Sequence, residues 1–78
     1  MDVIVEFVGP VRRPPGVADA IALALGQGAT VDDALARLGY VETERALLRV
    51  LRQGETIHRF DELSDGDTLT VFLLLGGG

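Results

Sequence analysis

Apolar and polar residues alternate, imperfectly around Glu6, from residue 3 to residue 8. A period of two predicts a β-strand with Val3, Val5 and Phe7 on its core face. Gly9, Pro10, Pro14, Pro15 and Gly16 follow in quick succession and predict a loop. The Pro14-Pro15 pair could also serve as a polyproline ligand, but a connection between strands is the simpler reading. Ile21, Leu23 and Leu25 then recur with period two, with Ala20, Ala22 and Ala24 between them. Alanine and leucine favour helix. The segment between Gly16 and Gly26 is nevertheless short and its alternation strict, which predicts a second strand completing a hairpin.

The period changes at Thr30-Val31-Asp32-Asp33. The Thr30 hydroxyl can cap free N–H groups, and two acidic residues in the first turn suit the positive end of the helix dipole. Val31, Ala34, Leu35 and Leu38 fall at i, i+3, i+4 and i+7, one buried stripe, and Gly39 stands where a helix ends. Residues 41–52 fit two patterns. Glu42-Thr43-Glu44-Arg45 with Leu47, Leu48, Val50 and Leu51 could form a second helix, or a turn could lead into a strand over residues 47–53. Gly54-Glu55 would then turn into a strand over residues 56–60. Asp65-Gly66-Asp67 predicts a tight turn, and Leu69-Thr70-Val71-Phe72-Leu73-Leu74-Leu75 a last strand. A hairpin, a helix across one face and further strands give a mixed α+β sheet. The last strand fits most economically beside the first, in the middle.

Composition narrows the chemistry. The chain has 78 residues, 47% of them hydrophobic, and no cysteine, so one small core must stand on apolar burial without disulfides or zinc–thiolate staples. The net charge of −5 is the wrong sign for tracking nucleic acid or an anionic membrane. No apolar segment approaches the length that spans a bilayer. The start of the chain carries neither a basic region nor an apolar leader, and a cytoplasmic location is expected. All seven basic residues are arginine. Without lysine, the chain offers no side-chain amine as an acceptor for isopeptide-linked copies of itself.

Little else suggests catalysis. The single histidine, His58, falls in a predicted strand or turn and reads as a surface or packing residue. Asp61, Glu62, Asp65 and Asp67 miss the spacing of a calcium loop and read as a solvated turn. Gly26-Gln27-Gly28 lacks the third glycine of a dinucleotide fingerprint. The sequence instead draws attention to Gly76, Gly77 and Gly78, placed directly after the apolar strand. Glycine has no Cβ to obstruct a narrow groove, so such a segment suits delivery of a terminal carboxylate into another protein's active site. In the last strand, Leu69, Val71, Leu73 and Leu75 point toward the core. Phe72 and Leu74 face the side the helix does not cover. They are either a docking patch or partly covered residues of a central strand.

The element order, the Thr30-capped helix, the Leu63-Ser64-Asp65-Gly66-Asp67 turn, the apolar last strand and the terminal Gly77-Gly78 together resemble the ubiquitin-like β-grasp sulfur carriers. This family includes the small subunit of molybdopterin synthase and the thiamine-pathway carrier. Val5-Glu6-Phe7-Val8-Gly9-Pro10-Val11-Arg12 and the long hairpin loop look more like the former. Two features depart from the family pattern: Gly76 replaces a small or β-branched residue, and Leu51-Arg52-Gln53-Gly54 lacks the Asn often found before that turn.

The resemblance implies a β-grasp domain over residues 1–75 with four to five strands and one main helix, and a flexible tail at residues 76–78. It implies that Gly78 is adenylated by an ubiquitin-activating-like adenylyltransferase that uses ATP, while Gly76 and Gly77 thread through the partner. A persulfide or sulfide supplied by a sulfurtransferase would leave a thiocarboxylate on Gly78. The large subunit of molybdopterin synthase, or another acceptor enzyme, would take the sulfur. The chain itself would contribute no catalytic side chain, metal ligand or bound cofactor. Two alternatives share parts of this picture: a protein modifier conjugated to target lysines, and a non-catalytic β-grasp interaction module.

Overall fold

The computed structural model describes residues 1–74; residues 75–78, which include Leu75 and the three expected tail glycines, lie outside the described part. Five strands and two helices follow one another as β1 (Asp2–Val8), β2 (Ala20–Ala24), α1 (Val31–Arg37), α2 (Glu42–Leu47), β3 (Leu48–Arg52), β4 (Glu55–Thr56) and β5 (Thr68–Leu73). The strands form one mixed sheet in the order β2-β1-β5-β3-β4. As expected, β1 and β2 make an antiparallel hairpin, and β5 lies beside β1, parallel to it, with Val5 opposite Leu69 and Phe7 opposite Val71. β3 pairs antiparallel with the other side of β5, with Val50 opposite Val71.

Residues opposite one another in a ladder share a face. Val3, Val5 and Phe7 of β1, Leu69 and Val71 of β5, and Leu48 and Val50 of β3 are all buried on the face that α1 covers. From the helix side, the predicted stripe of Val31, Ala34, Leu35 and Leu38 is buried. Tyr40, Ile57, Leu63 and Val11 fill the remaining space. The start of α1 is held by a reciprocal capping box. The Asp33 N–H donates to the Thr30 hydroxyl (3.2 Å), and the Thr30 N–H donates to the Asp33 carboxylate (2.9 Å). The helix ends at Gly39, whose φ of +95° a side chain would resist.

The ambiguous middle resolves as both predicted patterns, in series. α2 occupies residues 42–47, and β3 begins at once at Leu48. The fold therefore carries a short second helix beyond the one main helix expected. At its start, Glu44 accepts a hydrogen bond from the Val41 N–H (3.0 Å). Gln53 and Gly54 both take positive φ, +46° and +83°, as a two-residue hairpin turn requires. This is the place where the sequence has glutamine instead of the better-suited asparagine. The strand expected over residues 56–60 stops after Thr56, because the following segment is drawn toward α1. The Val31 and Asp32 N–H groups donate to the carbonyls of Asp61 (3.0 Å) and Arg59 (2.8 Å).

One acidic residue departs from its expectation. Asp61, Glu62 and Asp65 are exposed, but Asp67 is only 7% exposed. Its carboxylate accepts from the Ser64 N–H (2.8 Å) and lies 3.4 Å from the Arg52 guanidinium. Asp67 thus pins the turn before β5 from inside. Gly66 beside it takes a φ of +87°. His58 is exposed, as read from the sequence.

The long loop between β1 and β2 is organised by Arg13, whose guanidinium donates to the carbonyls of Phe7 (3.1 Å), Gly9 (2.7 Å), Val11 (2.9 Å) and Ala18 (2.6 Å). A planar fork with five donors can satisfy several carbonyls that have no ladder partner. Arg13→Ala is expected to lower the unfolding free energy by about 1–3 kcal/mol and to speed amide exchange over residues 9–19. Unchanged exchange there would contradict this role.

The two helices are tied to the segment after β4 by charge. Asp32 accepts from Arg45 (2.9 Å) and Arg59 (2.7 Å), and both arginines also reach Glu42. Burial works against the Asp32 carboxylate, but the hydrogen bonds from Arg59 and Arg45 outweigh it and hold its pKa below the usual 3.8. The folded carboxyl therefore binds its proton less readily than the unfolded one. The stability it contributes is fully present above 3.8 and is lost as pH falls through the lower folded value. Urea unfolding of wild type and Asp32→Asn should differ near neutral pH and converge toward pH 2. A gap independent of pH would show that the carboxylate's charge is not what stabilises.

Candidate functional site

The candidate site lies where β5 ends, and its geometry follows from register. Phe72 stands opposite Val8 on one side and Arg49 on the other, so Val8, Phe72 and Arg49 form one row across β1, β5 and β3. Their neighbours in each strand are core residues, so the alternation of the strand turns this row to the face without helices. Val8 is 53% exposed, Phe72 is half-buried and Arg49 is exposed. Leu74, two residues beyond Phe72 and 61% exposed, has the same parity. Leu47, the last residue of α2, is 63% exposed.

Of the two residues read from the sequence as facing away from the helix, Phe72 is placed there by register, and Leu74 lies one residue past β5 and is exposed. Phe72 combines the two alternatives, lying on the open face and being partly covered by its neighbours. Gly76, Gly77 and Gly78 lie outside the described residues. Sequence reasoning missed Val8 and Arg49. Val8 was legible, since it continues the outward phase of β1. Arg49 was not, because its place depends on where α2 gives way to β3.

The row directly below is more polar. Glu6 stands opposite Thr70, and Thr70 opposite Leu51. Further down, Ile4 (43% exposed) faces Thr68. Large apolar side chains on this face thus concentrate toward the end of β5 from which the chain continues.

The elements around that end are braced. Arg12 makes a two-pronged contact with Glu44 (2.9 and 3.2 Å) and lies over the Tyr40 ring, while the Tyr40 hydroxyl donates to the Arg12 carbonyl. The Arg12 hydrogen bond, with help from the Val41 N–H, holds the Glu44 carboxyl below its ordinary range, and burial pushes the Tyr40 hydroxyl up. The loop after β1 and the start of α2 are thereby fixed to each other near the row.

A groove of about 500 Å³ runs between the helices and the outer edge of β3, floored by Val31, Leu35, Val50 and Ile57. Arg45 and Arg59 on its rim are already paired with Asp32 and Glu42. Among the described residues, no three His, Asp or Glu side chains are grouped to hold a metal ion, and no helix is long and apolar enough to cross a membrane. The arrangement gathers exposed apolar side chains on the open face at the end of β5. Its exposed groups are suited to recognition.

In sequence, residues 5–78 match the ThiS family. The chain belongs to that family. No curated protein matches it in sequence. Among solved structures, it is similar to a protein from Pyrococcus furiosus provisionally named molybdopterin converting factor, subunit 1. The two share 25% identity over 95% of this chain and 98% of that one, with a TM-score of 0.72. The small archaeal modifier protein 1 of H. volcanii is 20% identical over 95% and 98% of the two chains, with a TM-score of 0.76. A chain from the complex of subunits 1 and 2 of the molybdopterin-converting factor of Helicobacter pylori is 20% identical, covers 100% of both chains and has a TM-score of 0.66. These likenesses confirm the ubiquitin-like β-grasp fold. ThiS-family proteins are small carriers or subunits, and this chain shares their build.

If the Phe72 ring packs chiefly on the open face, Phe72→Ala should unfold cooperatively and cost less than about 2 kcal/mol. A loss in the 3–5 kcal/mol range seen for core phenylalanines would place it in the core instead.

Proposed function

We propose that this ThiS-family chain is a cytoplasmic sulfur carrier whose working group is the Gly78 carboxylate. That group is an α-carboxylate, an anionic oxygen nucleophile at neutral pH. An ubiquitin-activating-like adenylyltransferase binds ATP, and a Gly78 oxygen attacks the α-phosphate, releasing pyrophosphate and forming an acyl-adenylate. Sulfide, or a persulfide from a sulfurtransferase, attacks the acyl carbon and AMP leaves; a persulfide adduct is then cleaved reductively by a thiol. The product is a thiocarboxylate, whose sulfur passes to a substrate on an acceptor enzyme. The activation is needed because hydroxide or oxide is a far poorer leaving group than AMP. The chain contributes the acyl group and its docking surface. ATP binds to the partner, and this chain carries no resident cofactor.

The observation that supports this reading most is the family match through the last residue, which includes Gly76, Gly77 and Gly78. Molybdopterin synthesis is the pathway favoured by the P. furiosus likeness, with a large synthase subunit as acceptor. The H. pylori complex of two converting-factor subunits has the kind of pairing this would require. Gly76 and Gly77 thread through the partner's tunnel, and Phe72 and Leu74 dock beside its mouth.

A second reading has its own support in the likeness to the H. volcanii modifier protein. There the same activated acyl group would meet a lysine of a target protein. Intact-mass analysis of the chain from its native cells separates the two. One oxygen exchanged for sulfur is the expected result, whereas a predominance of protein-sized adducts would favour the modifier. A chain lacking Gly77 and Gly78 should lose ATP-dependent activation altogether. Full retention would leave only an interaction module.

A further inference from the structure

The two edges of the sheet are protected unequally. β4 consists of Glu55 and Thr56 alone, too short to template another strand. β2, at the other edge, runs Ala20-Ile21-Ala22-Leu23-Ala24 in unbroken register, with no charge, proline or bulge to discourage a second strand. Its register with β1 decides which backbone groups point outward. The Leu25 N–H donates to the Met1 carbonyl (2.8 Å), and the Phe7 N–H donates to that of Asp19 (2.8 Å). In an antiparallel ladder hydrogen-bonded pairs recur at every second residue, so Ile21 and Leu23 bond to Val5 and Val3 of β1. The N–H and carbonyl groups of Ala20, Ala22 and Ala24 therefore point away from the sheet. Among the described residues, no hydrogen bond reaches them. The three alanine side chains are exposed on the open face, while Ile21 and Leu23 are only partly covered on the helix side.

We propose that β2 pairs with β2 of a second copy of this chain, antiparallel about a two-fold axis through Ala22. The sequence selects that occupant. Such an axis sets Ala22 opposite itself, Ala20 opposite Ala24 and Ile21 opposite Leu23, and the strand reads nearly the same in both directions. Every outward N–H then meets an outward carbonyl of the other copy, because Ala20, Ala22 and Ala24 all fall in hydrogen-bonded pairs. On the helix side, Ile21 and Leu23 cover each other's half-exposed flanks. On the open face, alanine opposite alanine lets the strands close to about 5.5 Å between α-carbons. Charge does not oppose the contact: residues 20–24 carry none, and Asp19 falls opposite Leu25 instead of its own copy. The two five-stranded sheets become one, with both α1 helices on the same side. Because β1 separates β2 from β5, the ends of both β5 strands stay uncovered and point in opposite directions. This inference does not depend on the carrier role.

A single strand pair buries less than the roughly 1,200 Å² of stable complexes, so the test is sedimentation of the purified chain up to about 1 mM. A monomer–dimer equilibrium is expected. Ala22→Lys and Ala22→Glu should each raise the dissociation constant about tenfold or more, because like charges then face each other across the axis. Mixing the two variants should restore a dimer, which requires residue 22 to stand opposite residue 22. In the wild type, amide exchange should slow with rising concentration at Ala20, Ala22 and Ala24 but not at Ile21 or Leu23. That pattern decides the matter even if a variant fails to fold. A chain that stays monomeric throughout overturns the proposal and leaves the edge to a strand of another protein. A dimer that tolerates both substitutions, or that the mixture does not restore, overturns it by placing the contact elsewhere. So does protection that appears at Glu55 and Thr56 instead.

Discussion

The pairing of β5 with β1 joins residues more than 60 positions apart, Ile4 with Thr68 at its start. Closing so long a loop costs on the order of 4 kcal/mol in chain entropy, before any residue of the strand is ordered. What offsets it is burial. Val5, Leu69 and Val71 have essentially no exposure, and each contributes about 1.5–3 kcal/mol. Hydrogen bonding to β1 on one side and β3 on the other leaves β5 without an exposed edge. The strand that leads to the C-terminal segment is consequently held on both sides, at the centre of the sheet.

In the proposed carrier, that constraint lets a docking face be built from few residues. With β5 fixed on both sides, register alone decides which side chains share the outward row at its end, and the row needs no helix or extra loop to position it. The bracing of the adjacent loop by Arg13 and of α2 by Arg12 and Arg45 keeps the surroundings in place. In the proposed carrier, division of labour follows: a rigid domain is recognised, and a side-chain-free segment reaches the chemistry. An acidic chain with no lysine and no cysteine also presents no competing nucleophilic side chain of those types to its own activated end.

Much of the fold was legible because local signals agreed with the tertiary result. The hairpin, the Thr30-capped helix with its Val31-Ala34-Leu35-Leu38 stripe, and the central place of β5 all followed from period and turn chemistry. The α2–β3 junction did not. Ala46-Leu47-Leu48 fits either period, and the switch is imposed from outside: Arg45 is held by Asp32 and the Tyr40 carbonyl, while Leu48 pairs with Leu73. Asp67 was misread for a related reason. Its burial depends on Arg52 arriving from β3, although its spacing from Ser64 was a local hint. The open-face position of Phe72 and Leu74 could be read from alternation. The place of Arg49 opposite Phe72 could not, because it depends on where β3 begins.

The central claim is that Gly78 is lent as an acyl group to another protein's catalytic site. Hydroxylamine trapping tests it most directly. The purified chain is incubated with its activating enzyme, ATP and hydroxylamine, and the C-terminal peptide is then weighed. The account predicts an ATP-dependent hydroxamate on Gly78. A chain left unmodified by an enzyme shown to be competent, or a hydroxamate found only on aspartate or glutamate side chains, would contradict it.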